Sequence, residues 1–381
     1  MKRKRYLSYF SEALLVVALR PLMFSVFIPS SIAFPVDSAV ADPRDDKPSD
    51  FSASPRTSPA ANSDEWARGT KSGMTIGGTE ASTAARRGSI DAPAPTASAA
   101  ALANPQTGSD FIALGNRLHG ERKFNAAIEA YNDAIARDPM NAQAYFNLGR
   151  VYFDQYRLSE AIKAYQQAVD LDPNSATGYN ELGLALKHRR RFSDAIVAYR
   201  RAIELSPDNA ATYNNLGNVL YQTRQYDDAV PMFRKAIELD PKQAEPMIGL
   251  GSVLYSQGKM DEAVTTLQRA TAVDPKSGTA FFNLGVALQA ARKLDQSAAA
   301  YRRAAGLPPA AIAAPAYNNL SNVLREMQDV PGAIAAARRA VSLAPTYAPA
   351  YRNLGQALLA DGQAADGNAA LAKAQKLDGQ H

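Results

Sequence analysis

Cysteine is absent from the 381 residues, and tryptophan occurs once, at Trp66. Without thiols there is no disulfide and no thiolate metal site, so whatever folds must be held by packing alone. Histidine is scarce as well: His119, His188 and His381 are isolated from one another, form no paired-His metal motif, and are expected to be solvated at the surface. The chain has no Gly-Lys-Ser/Thr phosphate loop, no dinucleotide-binding fingerprint and no GxSxG elbow. No catalytic constellation remains, and the expectation is a non-enzyme with no cofactor and no metal.

Long apolar runs are rare too, and the one present is at the start. MKRKR precedes EALLVVALRPLMFSVFIPSSIAF, which is followed by Ala39-Val40-Ala41. A charged end, an apolar segment and a small-residue cleavage site describe a secretory signal peptide over residues 1–41. The alternative is an uncleaved anchor with the repeats facing outward; Arg20-Pro21 interrupts the run where a spanning helix needs about 20 apolar residues. Localisation is therefore expected to be periplasmic or extracellular, with membrane contact only through residues 1–41.

Charge of one sign is not in large excess. Lys2, Arg3, Lys4, Arg5 and Arg20 against Glu12 and Asp37 place +3 in the leader, leaving +2 of the overall +5 on the rest. That balance gives no reason to expect a nucleic-acid partner. Residues 42–107 are rich in Ala, Ser, Pro, Thr and Gly with no sustained apolar period, and cannot bury enough surface to offset their ordering entropy. They are read as a disordered linker, with Trp66 an exposed aromatic within it.

What the chain does have is a repeat. In Tyr213 to Pro241, small and apolar residues fall at Tyr213, Leu216, Gly217 and Leu220, then at Ala229, Phe233 and Ala236. Offsets of three, four and seven are a helical period. Two such runs around the polar TRQYDD describe an antiparallel helix pair, and Pro241 stands where a helix would not continue. One pair cannot bury its own apolar face, so stacked copies must share a core. Related copies recur every 34 residues, giving repeats 108–141, 142–175, 176–209, 210–243, 244–277, 278–311, 314–347 and 348–381. The seventh comes two residues late, after GLPPAAIAAPA. In the eighth, Gly367 and Gly379 replace the usual Ala and Pro, and its second helix is expected to be a worn cap.

This pattern of aromatic, Leu-Gly, aromatic or aliphatic, Ala, aromatic, Ala and Pro resembles the tetratricopeptide repeat (TPR) family. The resemblance implies an all-α, right-handed superhelical solenoid of about eight helix-turn-helix repeats, whose first helices line a concave groove. It also implies that the residue before each repeat's Leu points into that groove. Here those residues are Asn147, Asn215, Asn283, Asn319 and Asn353; Asn180, Asn214 and Asn318 sit one place earlier, and Asn116, Asn218 and Asn322 two places after the Leu. Mid-helix Asn is unfavourable by up to about 0.7 kcal/mol against Ala, so something should compensate. A carboxamide donates and accepts, and a ladder of them can hold an extended peptide backbone, as the resemblance implies from O-GlcNAc transferases. The other reading is family consensus without use. On the peptide-holding reading, Ala at four of these positions should weaken binding while leaving stability at least equal.

A carboxylate clamp is not expected, because Ile112, Thr177 and Glu181 stand where its cations belong. Phe146, Phe153, Tyr221, Tyr255 and Phe282 give either apolar pockets in the groove or ordinary inter-helix packing. The run Lys187-His188-Arg189-Arg190-Arg191 is read as closing a helix, where cations suit the dipole. The functional expectation is an exported, non-catalytic scaffold or adaptor for a protein or peptide segment. A self-assembling homo-oligomeric module and a substrate-presenting subunit of a glycosyltransferase-type enzyme are the alternatives.

Overall fold

The computed structural model describes residues 105–379. The leader, most of the linker with Trp66, and His381 lie outside the described residues. Sixteen α-helices follow one another: α1 (Gly108–Gly120), α2 (Phe124–Arg137), α3 (Ala142–Asp154), α4 (Leu158–Leu171), α5 (Ala176–His188), α6 (Phe192–Leu205), α7 (Ala210–Gln222) and α8 (Tyr226–Leu239). Then come α9 (Glu245–Ser256), α10 (Met260–Val273), α11 (Gly278–Ala290), α12 (Leu294–Ala305), the 3-10 turn η1 (Ala310–Ile312), α13 (Ala313–Glu326), α14 (Val330–Leu343), α15 (Ala348–Ala360) and α16 (Ala364–Asp378). Odd-numbered helices are the first of each pair, and there is no strand among the described residues. The fold is an all-α helical-repeat solenoid.

The pairing follows from one contact repeated. In the first four pairs and the sixth, the Gly after the repeat's Leu faces the ring of the second helix, so closely that a Cβ at Gly149 would lie 2.7 Å from Tyr165, at Gly183 2.8 Å from Tyr199, and at Gly285 2.7 Å from Tyr301; in the fifth pair Gly251 meets Leu267 instead. Tyr131, Tyr165, Tyr199, Phe233 and Tyr301 are fully buried as a result, and Ala127, Ala161, Ala195, Ala229 and Ser297 fill the crossing beside them. A side chain larger than hydrogen at the glycine would overpack this crossing.

Each turn inside a pair is built the same way. Residues Arg122, Tyr156, Arg190, Arg224, Arg292 and Gln328 adopt positive φ between 59° and 65°, and Gly258 and Gly362 occupy the same place in the fifth and eighth pairs. The next backbone N–H returns to a carbonyl in the last turn of the first helix, as in Lys123 to Leu118 at 2.8 Å and Arg191 to Leu186 at 2.9 Å. This is the Schellman closure, which usually takes glycine. The second helix accordingly begins at Tyr226 in the fourth pair, so the turn there is shorter than TRQYDD. Between pairs, Asp138, Asp172, Asp240 and Asp274 accept from the backbone N–H two residues on. Asn141, Ser175, Asn209 and Ser277 then cap the following helices.

One local expectation changes. The eighth pair's second helix is a full 15-residue helix: Gly367 places its backbone against Gly355, and a Cβ at Gly355 would meet the Gly367 carbonyl at 2.8 Å. Close backbone approach replaces the aromatic there, so the departure from pattern does not shorten the helix. The Pro-rich insert is also ordered. It folds back so that Gly278 N–H at the start of α11 donates to the Pro308 carbonyl at 2.9 Å.

Candidate functional site

Successive first helices pack on one another at most junctions, α1 on α3, α5 on α7, α7 on α9, α9 on α11 and α13 on α15, whereas each second helix packs mainly on first helices. The first helices therefore form an inner layer, and the asparagines lie along it. Asn147, Asn283, Asn318 and Asn353 are buried; Asn180, Asn214, Asn215, Asn218, Asn319 and Asn322 are half-buried; Asn116 is exposed.

Many of these amides bond to the neighbouring pair, in two modes. Where the preceding pair has Ile in the place before its ladder residue, the amide reaches a polar group further along that helix. Asn147 Nδ2 donates to Asn116 Oδ1 at 3.0 Å, and Asn283 Nδ2 donates to Ser252 Oγ at 3.3 Å. Where the preceding pair has Asn in that place, the amide bonds to it: Asn215 Nδ2 to Asn180 Oδ1 at 3.3 Å, and Asn353 Nδ2 to Asn318 Oδ1 at 2.7 Å and to the Asn318 carbonyl at 3.1 Å. Asn319 Nδ2 donates to the Tyr301 hydroxyl at 3.4 Å. These bonds compensate for poor helix propensity. For Asn353 the expectation that Ala would leave stability at least equal is therefore reversed, because truncation removes the donor to the buried Asn318 amide oxygen at about 1–3 kcal/mol, more than propensity returns; after the same change at Asn147 or Asn283, Asn116 Oδ1 keeps the Tyr131 hydroxyl and Ser252 Oγ keeps the Ile248 carbonyl.

The ladder is interrupted once in its middle. Asn214 corresponds to Asn180, which accepts from Thr212 and Asn215, but one pair on from those donors stand Pro246 and Gly249, which offer none. Asn214 Oδ1 is buried without a partner. Gly249 cannot carry a side chain, because a Cβ there would run into the Phe233 ring. Asn218 and Asn322 make no hydrogen bond among the described residues.

The aromatic candidates divide. Phe146 and Phe282 are buried and sit at centroid distances of 5.7 Å from Tyr165 and 5.8 Å from Tyr301, so they are inter-helix packing. Tyr221 and Tyr255 are half-buried on the inner layer and bridge the two largest core clusters. Phe153 packs edge-on to His188 at 5.4 Å.

The histidines are not simply solvated. His119 Nε2 lies 2.7 Å from Asp154, joining the first pair to the second. His188 is enclosed by Phe153 and Tyr156, and burial, with Lys187 adding to it, lowers its pKa to about 4. In the basic run, Lys187 and His188 occupy the last turn of α5, and Arg191 pairs with Asp194 at 2.7 Å. Ile112, Thr177 and Glu181 are half-buried on the inner layer. Among the described residues there is no group of three metal-ligating side chains, and no helix is long and apolar enough to cross a membrane.

Stacked helix pairs with a ladder of polar side chains on their inner layer define a repeat solenoid of the protein-interaction class. Two family models match. One, described as the Cilia and flagella-associated protein 70 C-terminal domain, covers residues 81–311, and one described as Tetratricopeptide repeat covers residues 314–347. The chain belongs to the tetratricopeptide repeat family. No curated protein matches it. Among solved structures, the APC/C hetero-tetramer Cut9-Hcn1 is similar at 20% identity over 68% of this chain and 50% of that one, with a TM-score of 0.52. MamA is 30% identical over 42% of this chain and 95% of its own, with a TM-score of 0.42. YrrB, titled as a TPR protein with an unusual peptide-binding site, is 26% identical over 48% and 94%, with a TM-score of 0.42.

Proposed function

We propose that the chain is an exported, non-catalytic adaptor whose inner layer binds an extended segment of another protein. The observation that carries this reading is the uncommitted polarity along that layer. Among the described residues, Asn218 and Asn322 spend neither donor nor acceptor, the Asn214 acceptor is unpaired, and the exposed Asn116 is bonded only through its oxygen. Half-buried carboxamides can accept from and donate to a peptide backbone without regard to its side chains. Tyr221 and Tyr255 beside them supply apolar surface. Export rests on the leader, with the linker between it and the first repeat acting as a tether.

Crosslinking with mass spectrometry on intact envelopes tests this. Crosslinks from inner-layer residues to one or a few segments of another protein are expected; crosslinks only between copies of this chain, with a mass in solution that rises with concentration, would replace the adaptor by self-assembly. Intact mass of the envelope protein tests export separately. A species beginning at Asp42 is expected, and one that retains Met1 and needs detergent would make it anchored.

A further inference from the structure

The ladder residue of the third pair is a carboxylate. Glu181 stands where the second, fourth, sixth, seventh and eighth pairs carry Asn147, Asn215, Asn283, Asn319 and Asn353. It is half-buried on the inner layer and accepts one hydrogen bond among the described residues, from Asn180 Nδ2 at 3.1 Å. Asn180 is held in that orientation because its own oxygen accepts from Thr212 Oγ1 and Asn215 Nδ2, each at 3.3 Å. The amide is thus a fixed donor aimed at one carboxylate oxygen, and the other is left over.

Among the described residues no cation is hydrogen-bonded to Glu181. Arg150 and Asp154 on α3 act on the carboxylate electrostatically, but Arg150 is exposed and forms no ion pair among the described residues, while Asp154 already takes His119. Behind Glu181, the ring of Tyr199 lies against Gly183 of the same helix, with Cε1 2.8 Å from where a Cβ would stand. That tyrosine is fully buried, its hydroxyl has no partner, and the Glu181 carboxylate is the charge that acts on it. A buried hydroxyl without a partner is rare and costly. Burial holds the Glu181 carboxyl above its usual range, with the Asn180 bond and Arg150 opposing.

We propose that Glu181 is the floor of a subsite on the inner layer that takes a cationic side chain, lysine or arginine, of an extended protein segment. This rests on the adaptor reading above. A primary ammonium or guanidinium would supply the donors that the free carboxylate oxygen lacks, and a charge-assisted bond in a half-buried site is stronger than a neutral one. The seventh pair is the internal control, because Asn319 at the matching place is neutral and is already bonded to Tyr301. Two halves of one inner layer thus differ in the charge they select.

The test selects a displayed library of random dodecapeptides on the full chain, wild type and with Glu181→Gln, Glu181→Lys or Asn319→Glu. Wild type is expected to enrich Lys or Arg at one position about tenfold. Glu181→Gln should lose that preference, Glu181→Lys should turn it toward Asp and Glu, and Asn319→Glu should add a second basic position. Peptides enriched without a basic preference, or with one unchanged in Glu181→Gln, overturn the subsite and leave the adaptor reading standing. No enrichment at all overturns both. A version that does not depend on a folded variant uses wild-type protein with the enriched peptide and its counterpart carrying norleucine for the basic residue. An affinity loss of about tenfold is expected, and equal affinities overturn the subsite.

Discussion

The first four helix pairs and the last four are variations on one arrangement. Four pairs on from Phe146, Asn147 and Tyr165 stand Phe282, Asn283 and Tyr301, with nearly the same ring distances. Ile112 and Asn116 correspond to Ile248 and Ser252, Asn180 to Asn318, and Asn215 to Asn353, and the two modes of amide bonding repeat in the same order. The differences are as instructive. Phe153, Tyr156 and His188 make an aromatic cluster at the end of the inner layer, but four pairs on the same places hold Gln289, Arg292 and Glu326, bonded at 2.7 and 3.1 Å. One scaffold accepts an apolar or an ionic solution at the same point because both satisfy what is buried there. Between the halves, Gly249 and Pro246 break the ladder, so inner-layer polarity is divided into two stretches.

The largest effect should come from emptying the matched crossings. Tyr165→Ala and Tyr301→Ala are each expected to cost about 3–5 kcal/mol, as for other buried aromatics. Because each repeat contacts mainly its neighbours, amide exchange should rise around α3 to α6 in the first variant and α11 to α14 in the second. Uniform loss of protection along the chain would show that the halves do not unfold separately.

At the break itself, Gly249→Ala is expected to destabilise by about 1–3 kcal/mol, despite alanine's better propensity of about 1 kcal/mol. The cause is the Phe233 ring, so Phe233→Leu in the same protein should recover part of the loss. Thermal melts of the single and double variants decide this; a stabilised Gly249→Ala would mean the ring is free to move.

The ladder tests the comparison more finely. Asn353→Ala removes a buried amide with two bonds to Asn318 and should cost about 1–2 kcal/mol, whereas Asn215→Ala, half-buried with one long bond, should cost less than about 1 kcal/mol. Equal denaturant midpoints would show that the two halves hold their amides alike.

The comparison can also be made through acid sensitivity, which should be confined to one half. His188 is neutral when folded, with its pKa lowered to about 4 by burial, against about 6.5 for an ordinary imidazole. Between those values the unfolded chain takes up the proton and the folded chain does not, so stability is full above the unfolded pKa and falls as pH drops toward about 4. Allowing for water around the half-exposed ring, the loss is about 1–2 kcal/mol. Exchange at pH 5 should quicken around α5, and His188→Gln should remove the slope. No described histidine lies in the last four pairs, so an equal acid response there would have another source.

The repeat was legible because a helix pair needs small residues where its axes cross and a ring to fill the gap, and those demands recur at fixed spacing. Eight pairs, the late seventh pair and the polar inner positions can all be read from Leu, Gly, Ala, Asn and Pro. Hydrogen-bond partners could not be read. Asn147 and Asn215 occupy the same place in their repeats, yet one reaches Asn116 and the other Asn180, because the partner is set by what the preceding pair presents. Gly249 gave no signal beyond its identity, since its reason is a ring on another helix. Nor did the glycines of the last pair, whose second helix is full length because two backbones meet. The positive-φ arginines had no local signature either, for their cost is met by helix closure on both sides. Sequence by itself determined the period, the pairing and which faces are apolar, all consequences of local spacing. The tertiary structure decided which polar groups are spent between neighbours and which, like the Asn214 amide oxygen and the Tyr199 hydroxyl, are left without a partner among the described residues. That depends on distances between residues that the repeat places side by side.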